Sequence, residues 1–147
     1  MACCPGGHFA ELRLATKDID EADYDIYWLT FRNQHLRSFL QGRRYHFVIN
    51  VDPHKKWTWV VNALQSLCYL LLERPDVVIS TGSGMAFPTI YFGKKLLGAK
   101  VIYVCSAADV TSPSRTPAAA YHHSDLFCVQ WMEMLTVFPN AKYIGVL

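Results

Sequence analysis

The chain has 147 residues, 52% hydrophobic and 18% charged, a composition that fits one well-cored globular domain and argues against disorder. Lys and Arg number 14 against 12 Asp and Glu, a net charge of +2, too slight for a dedicated nucleic-acid binder; an anionic membrane surface needs only a local basic patch. The cysteines form no Cys-x-x-Cys pair and mostly lie in apolar runs, which favours a reducing compartment.

No charged region followed by an apolar one opens the chain, so no secretory signal is expected. Met1 to Cys4 reads as a strand, shorter than the usual run of about five or six residues. Pro5-Gly6-Gly7-His8 follows and leads into a helix. Strands rich in β-branched and aromatic residues are expected at Asp25 to Phe31 and at Tyr45 to Val51.

Trp57 to Leu72 is the most apolar stretch, yet it is shorter than the roughly 20 residues of a spanning helix and carries Asn62, Gln65 and Ser66. On a helix, Asn62, Ser66, Tyr69 and Glu73 form a narrow polar stripe. Trp57, Val60, Val61, Leu64, Leu67, Cys68 and Leu71 cover the opposite face. Either this is a crossover helix packed on a sheet, or it inserts in a bilayer interface. Lys55, Lys56, Trp57 and Trp59 at its start favour headgroup depth and name the candidate membrane contact.

Further strands are expected at Asp76 to Ser80, Lys100 to Cys105, Leu126 to Gln130 and Lys142 to Leu147, mostly separated by helical patterns. This alternation, with strands apolar on both faces, predicts an α/β fold: a Rossmann-like parallel sheet with helices on both faces, in a single domain spanning residues 1–147.

Ligands of such sheets collect beyond the carboxyl ends of the strands. Two of those loops, Gly6-Gly7-His8 and Thr81-Gly82-Ser83-Gly84, are glycine turns opening helices. Either glycine serves the turn alone, or the free N–H groups and the helix dipole hold an anion, and two such turns facing one crevice suit a diphosphate. The dinucleotide fingerprint fails, because Phe87 occupies the third glycine position and no acid lies about twenty residues on; the Walker pattern is also absent. No cofactor is expected.

His8, at a helix start, is either a cap or a general base held neutral by the dipole, and Glu11 one turn later orients it or a sugar hydroxyl. Without further ligands the pair does not define a metal site. Ser106, Thr111, Ser112 and Ser114 lie on a proline-stiffened loop that is either a crevice wall or ordinary surface, and His122 and His123 read as solvated.

Taken together, "PGGH", "RPDVVISTGSG", "VTSPS", "SDLFCVQW" and "YIGVL" resemble, in the same order, the PssD-type polysaccharide-biosynthesis proteins. Those are related to the membrane-associated subunit of the two-part UDP-N-acetylglucosamine transferase that extends dolichol diphosphate N-acetylglucosamine. The resemblance implies the N-terminal, acceptor-side half of a GT-B glycosyltransferase. A separate donor-domain subunit would bind the UDP-sugar, N-acetylglucosamine or glucuronic acid. This chain would hold a polyprenyl-diphosphate-linked acceptor at the cytoplasmic face of the membrane, peripherally or monotopically.

By similarity to the family's two glycine loops, Gly6, Gly7 and His8, with Thr81, Gly82, Ser83 and Gly84, face the acceptor diphosphate. The family pattern has an acid where Cys105 stands and a basic residue where Asp109 stands, which argues for a different acceptor or sugar, or for a catalytic role moved elsewhere. The alternative, from a different class, is a non-catalytic membrane adaptor that recruits a complete transferase. A stand-alone nucleotide-binding enzyme is a third option.

Overall fold

The computed structural model describes residues 1–147. Seven strands, β1 (Ala2–Cys3), β2 (Tyr27–Thr30), β3 (Arg44–Phe47), β4 (Val77–Gly82), β5 (Lys100–Val104), β6 (Leu126–Val129) and β7 (Lys142–Tyr143), form one sheet in the order β3-β2-β1-β4-β5-β6-β7. All neighbours pair in parallel. The helices are α1 (Gly7–Ala15), α2 (Arg37–Leu40), α3 (Lys56–Glu73), α4 (Phe87–Leu96) and α5 (Arg115–Tyr121).

Both sheet faces are covered, as the apolar strands require. Cys3, Trp28 and Ile79 pack with Leu12, Leu36 and Leu40 from the α1 and α2 side. Val78, Val101 and Tyr103 pack with Ile90 of α4 and Ala120 of α5 on the other side. The doubly wound, Rossmann-like expectation therefore holds, and strand order reverses between β1 and β4.

Strand limits differ from the expected ones for local reasons. β3 stops at Phe47 because the last bond to its neighbour is Val48 N–H to the Thr30 carbonyl. β4 runs on to Gly82, whose neighbour is Cys3. β7 keeps only Lys142 and Tyr143; Ile144 still donates to Val129, and Gly145 then turns the chain at φ 77°.

Helix α3 packs with its polar stripe inward. Thr58, Asn62, Ser66 and Leu70 are its buried residues. β3 is an edge strand, and the extended chain after it has backbone groups that no other strand pairs. Asn62 Nδ2 donates to the Ile49 carbonyl at 2.7 Å, and Gln65 Oε1 accepts from Ile49 N–H at 2.7 Å. Thr58 Oγ1 accepts from Asp52 N–H. Asn62, Gln65 and Thr58 of α3 thus satisfy that backbone, and the apolar face is turned outward: Leu64 is 63% exposed and Leu72 69%, with Trp57, Val60 and Leu71 also exposed. The crossover helix of the sequence reading is present, with its contact face polar. No helix is long and apolar enough to cross a membrane.

Candidate functional site

The crevice lies where the strand order reverses, beyond the carboxyl ends of β1 and β4, the position at which open parallel sheets bind ligands. The first turn places Gly6 at φ 98° before α1, whose N-terminus no side chain caps. In the second, Gly82 at φ 113° and Ser83 at φ 77° lead into a 3-10 turn, Gly84–Ala86, that continues as α4, again without a side-chain cap. Positive φ at a serine is strained backbone of the kind that gathers at ligand sites. The first N–H groups of both elements are left for an external acceptor.

The turns are stitched together. Thr81 Oγ1 donates to the His8 carbonyl at 2.6 Å. A Cβ on Gly82 would stand 2.6 Å from the Tyr103 hydroxyl and 3.4 Å from His8 Cε1, so glycine is required there by contact as well as by conformation. Burial pushes the Tyr103 hydroxyl far above its usual pKa, and nearby Cys105, Asp109 and Glu11 act in the same direction, so it remains a neutral wall.

His8 Nδ1 lies 3.7 Å from Glu11 Oε2. Both atoms are buried without a hydrogen-bond partner. The other carboxylate oxygen, Oε1, accepts from Ser106 Oγ at 3.0 Å and from Ala107 N–H at 2.7 Å. Glu11 is thereby fixed to the loop after β5 and faces the inner side of the imidazole, which leaves Nε2 to meet a ligand. Trp131 Nε1 donates to the Ala107 carbonyl and holds the same loop from outside. Cys105 is buried, its thiol pushed far up by desolvation and by the Asp109 charge, so it is an inert packing group. Asp109 is also buried and accepts from Ser114 N–H.

The structure brings together Gly6, Gly7, His8, Glu11, Thr81, Gly82, Ser83, Gly84 and Ser106. Thr111, Ser112 and Ser114 lie exposed on the outward part of the loop, with no hydrogen bond to either turn. Lys55, Lys56 and Trp57 are exposed at the start of α3, and the Trp59 indole reaches the crevice beside Gly84. His122 is exposed; His123, expected to be solvated, is instead half-buried with its ring edge-on to Tyr91 at 5.1 Å. Burial lowers its pKa, and Lys95 and His122 lower it further. Tyr103 and Trp131 were not anticipated. Their signal was available for Tyr103 alone, which shares a strand face with Cys105 two residues on.

A 380 Å³ cavity lined by Tyr24, Tyr27, Arg44, Glu73 and Asp76 sits at the starts of the strands, remote from the glycine turns. No three His, Cys, Asp or Glu side chains are grouped to hold a metal ion.

The family described as "Oligosaccharide biosynthesis protein Alg14 like" matches residues 44–147. UDP-N-acetylglucosamine transferase subunit ALG14 of Candida albicans is 34% identical over 95 residues, covering 61% of this chain and 43% of that protein. The human protein of that name is 33% identical over 86 residues, covering 54% of this chain and 40% of its own length. The Debaryomyces hansenii protein is 24% identical and covers 97% of this chain. In the Candida and human cases the match spans less than half of the relative. Among solved structures, MurG of Acinetobacter baumannii superposes with a TM-score of 0.72 over 99% of this chain and 45% of MurG, at 16% identity, a likeness of fold.

Proposed function

This chain belongs to the Alg14-like family of oligosaccharide biosynthesis proteins, and from that premise we propose that it is the acceptor-binding, membrane-docking subunit of a two-component inverting glycosyltransferase. The enzyme would transfer a sugar, N-acetylglucosamine or glucuronic acid, from UDP to a polyprenyl-diphosphate-linked acceptor. The observation that carries this reading is the meeting of two uncapped glycine turns at the strand-order reversal, with His8 between them. The names of the relatives, each a subunit of a UDP-N-acetylglucosamine transferase, support the division of labour with a donor-binding partner.

In this mechanism the acceptor diphosphate accepts hydrogen bonds from the free N–H groups of Gly7, His8, Ser83 and Gly84. His8 Nε2 takes the proton of the acceptor hydroxyl as its oxygen attacks the anomeric carbon of the donor sugar. The bond to UDP breaks on the opposite side, and the configuration inverts. Glu11, whose Oε2 faces His8 Nδ1, positions the ring and stabilises the imidazolium that forms. Catalysis requires both subunits, because the UDP-sugar pocket belongs to the partner. The outward apolar face of α3, flanked by Lys55 and Lys56, docks the chain at the cytoplasmic face of the membrane.

The same exposed face favours a second reading, a membrane adaptor that recruits a complete transferase. The test is transfer of labelled sugar from UDP-N-acetylglucosamine and UDP-glucuronic acid to endogenous lipid acceptor in membranes, with this chain alone, with the candidate partner alone and with both. Transfer only with both chains is expected. A partner equally active alone overturns the catalytic reading in favour of the adaptor. Substitution of His8 by Ala is expected to lower turnover by roughly 100-fold; turnover near the unmutated level removes it from the role of base.

A further inference from the structure

The Trp59 indole is packed on the second glycine turn. A Cβ on Gly84 would lie 3.1 Å from Trp59 Cη2 and 3.0 Å from Val51 Cγ2, so the benzo edge of the ring and the Val51 methyl press on the backbone proposed to hold the diphosphate. Trp59 is 37% exposed, so part of the ring stays open to solvent beside the turn. From it Ala63, Leu67 and Leu71 continue along α3 four residues apart, with Val60 and Leu64 exposed alongside, and this apolar row runs about 18 Å from Trp59 to Leu71, at 1.5 Å for each residue.

Resting on the reading of the glycine turns as the diphosphate site, we infer that Trp59 and Val51 form the subsite for the first isoprene unit of the acceptor, and that the prenyl chain leaves along the apolar face of α3. The argument is one of covalent reach. The first prenyl carbon is bonded directly to a phosphate oxygen, so a diphosphate seated on the second turn sets that carbon within a few ångströms of Gly84. The apolar surface packed on Gly84 is Trp59 and Val51. A flat, partly exposed indole suits an alkene chain: it removes apolar area from water without needing a hydrogen-bond partner from the lipid. The outward face of α3 is then more than a membrane anchor. It joins the bilayer to the reacting diphosphate, and Trp59 is the specificity-determining residue at the junction.

The test uses the two-chain complex in detergent, where membrane docking no longer contributes, with two acceptors: N-acetylglucosamine linked through diphosphate to a geranylgeranyl chain, and the analogue ending in a methyl group. Trp59→Ala is expected to raise KM for the geranylgeranyl acceptor by roughly tenfold with kcat retained, and to raise KM for the methyl acceptor by clearly less. Trp59→Phe is expected to retain most of the wild-type preference. Equal loss on both acceptors makes Trp59 a prop for Gly84 and overturns the subsite, as does unchanged KM on both. A wild-type complex that transfers to neither acceptor overturns the reading of the glycine turns, and this inference with it.

Discussion

The hydroxyl of Thr81 donates a 2.6 Å hydrogen bond to the backbone carbonyl of His8 across 73 residues of sequence, tying the helix that carries the candidate base to the strand that carries the second glycine turn. Thr81 is fully buried. Thr81→Val keeps its shape and removes the donor, so thermal or urea unfolding is expected to show a loss of about 1 kcal/mol. Because the bond sets the spacing of the two turns, transfer by the complex should fall further, roughly tenfold, in assays below the unfolding temperature.

At Gly82, conformation and packing act in the same direction. The positive φ of 113° disfavours any side chain, and a Cβ would meet the Tyr103 hydroxyl. Gly82→Ala is expected to cost about 2 kcal/mol or more in stability. The double variant Gly82→Ala with Tyr103→Phe removes the clashing oxygen and should recover part of that loss, read from urea midpoints. Recovery of all of it would assign the cost to contact and none to the backbone.

The inside-out packing of α3 makes opposite predictions for neighbouring positions. Asn62 is buried and donates to Ile49, so Asn62→Leu strands a backbone carbonyl and should destabilise by about 1–3 kcal/mol. Leu64 is exposed, so Leu64→Glu should change stability by no more than about 0.5 kcal/mol yet weaken co-sedimentation with anionic vesicles. Cys68 lies on the same exposed face. Alkylation is expected to label Cys68 ahead of Cys3, whose thiol burial pushes up to about 12, and vesicles should protect it.

Asp125 accepts from both Lys94 and Lys100 and from Val101 N–H. These partners, the Lys94 ammonium foremost, hold its carboxyl well below the ordinary value of 3.8. A depressed folded-state value stabilises the fold at pH above the unfolded value, and that contribution is lost as pH falls through the folded one. Asp125→Asn should therefore be less stable than wild type at about pH 6, and the difference should narrow steadily below about pH 4. A difference that stays constant with pH would show that the carboxylate charge contributes nothing.

The alternation of apolar strands with helical patterns made the parallel sheet legible, and glycine after strand made the two turns legible, because both signals are local. The orientation of α3 was not. A stripe of Asn62, Ser66 and Glu73 opposite Val60, Leu64 and Leu71 shows that the helix is two-faced, but an inward apolar face is only the common case. Which face turns in depended on Ile49 and Asp52, whose unpaired backbone groups at the edge of the sheet needed Asn62, Gln65 and Thr58.

Periodicity and spacing along the chain were enough for the fold class, for the two glycine turns and for His8 and Glu11 standing one helical turn apart. Folding alone reveals that Glu11 is fixed to Ser106 and Ala107, that Thr81 joins the two turns, that Trp59 rests on Gly84, and that the apolar face of α3 looks outward. Those relationships join residues far apart along the chain, and they arise because parallel pairing sets β1 beside β4 while an edge strand draws the polar side of a helix onto its unpaired backbone.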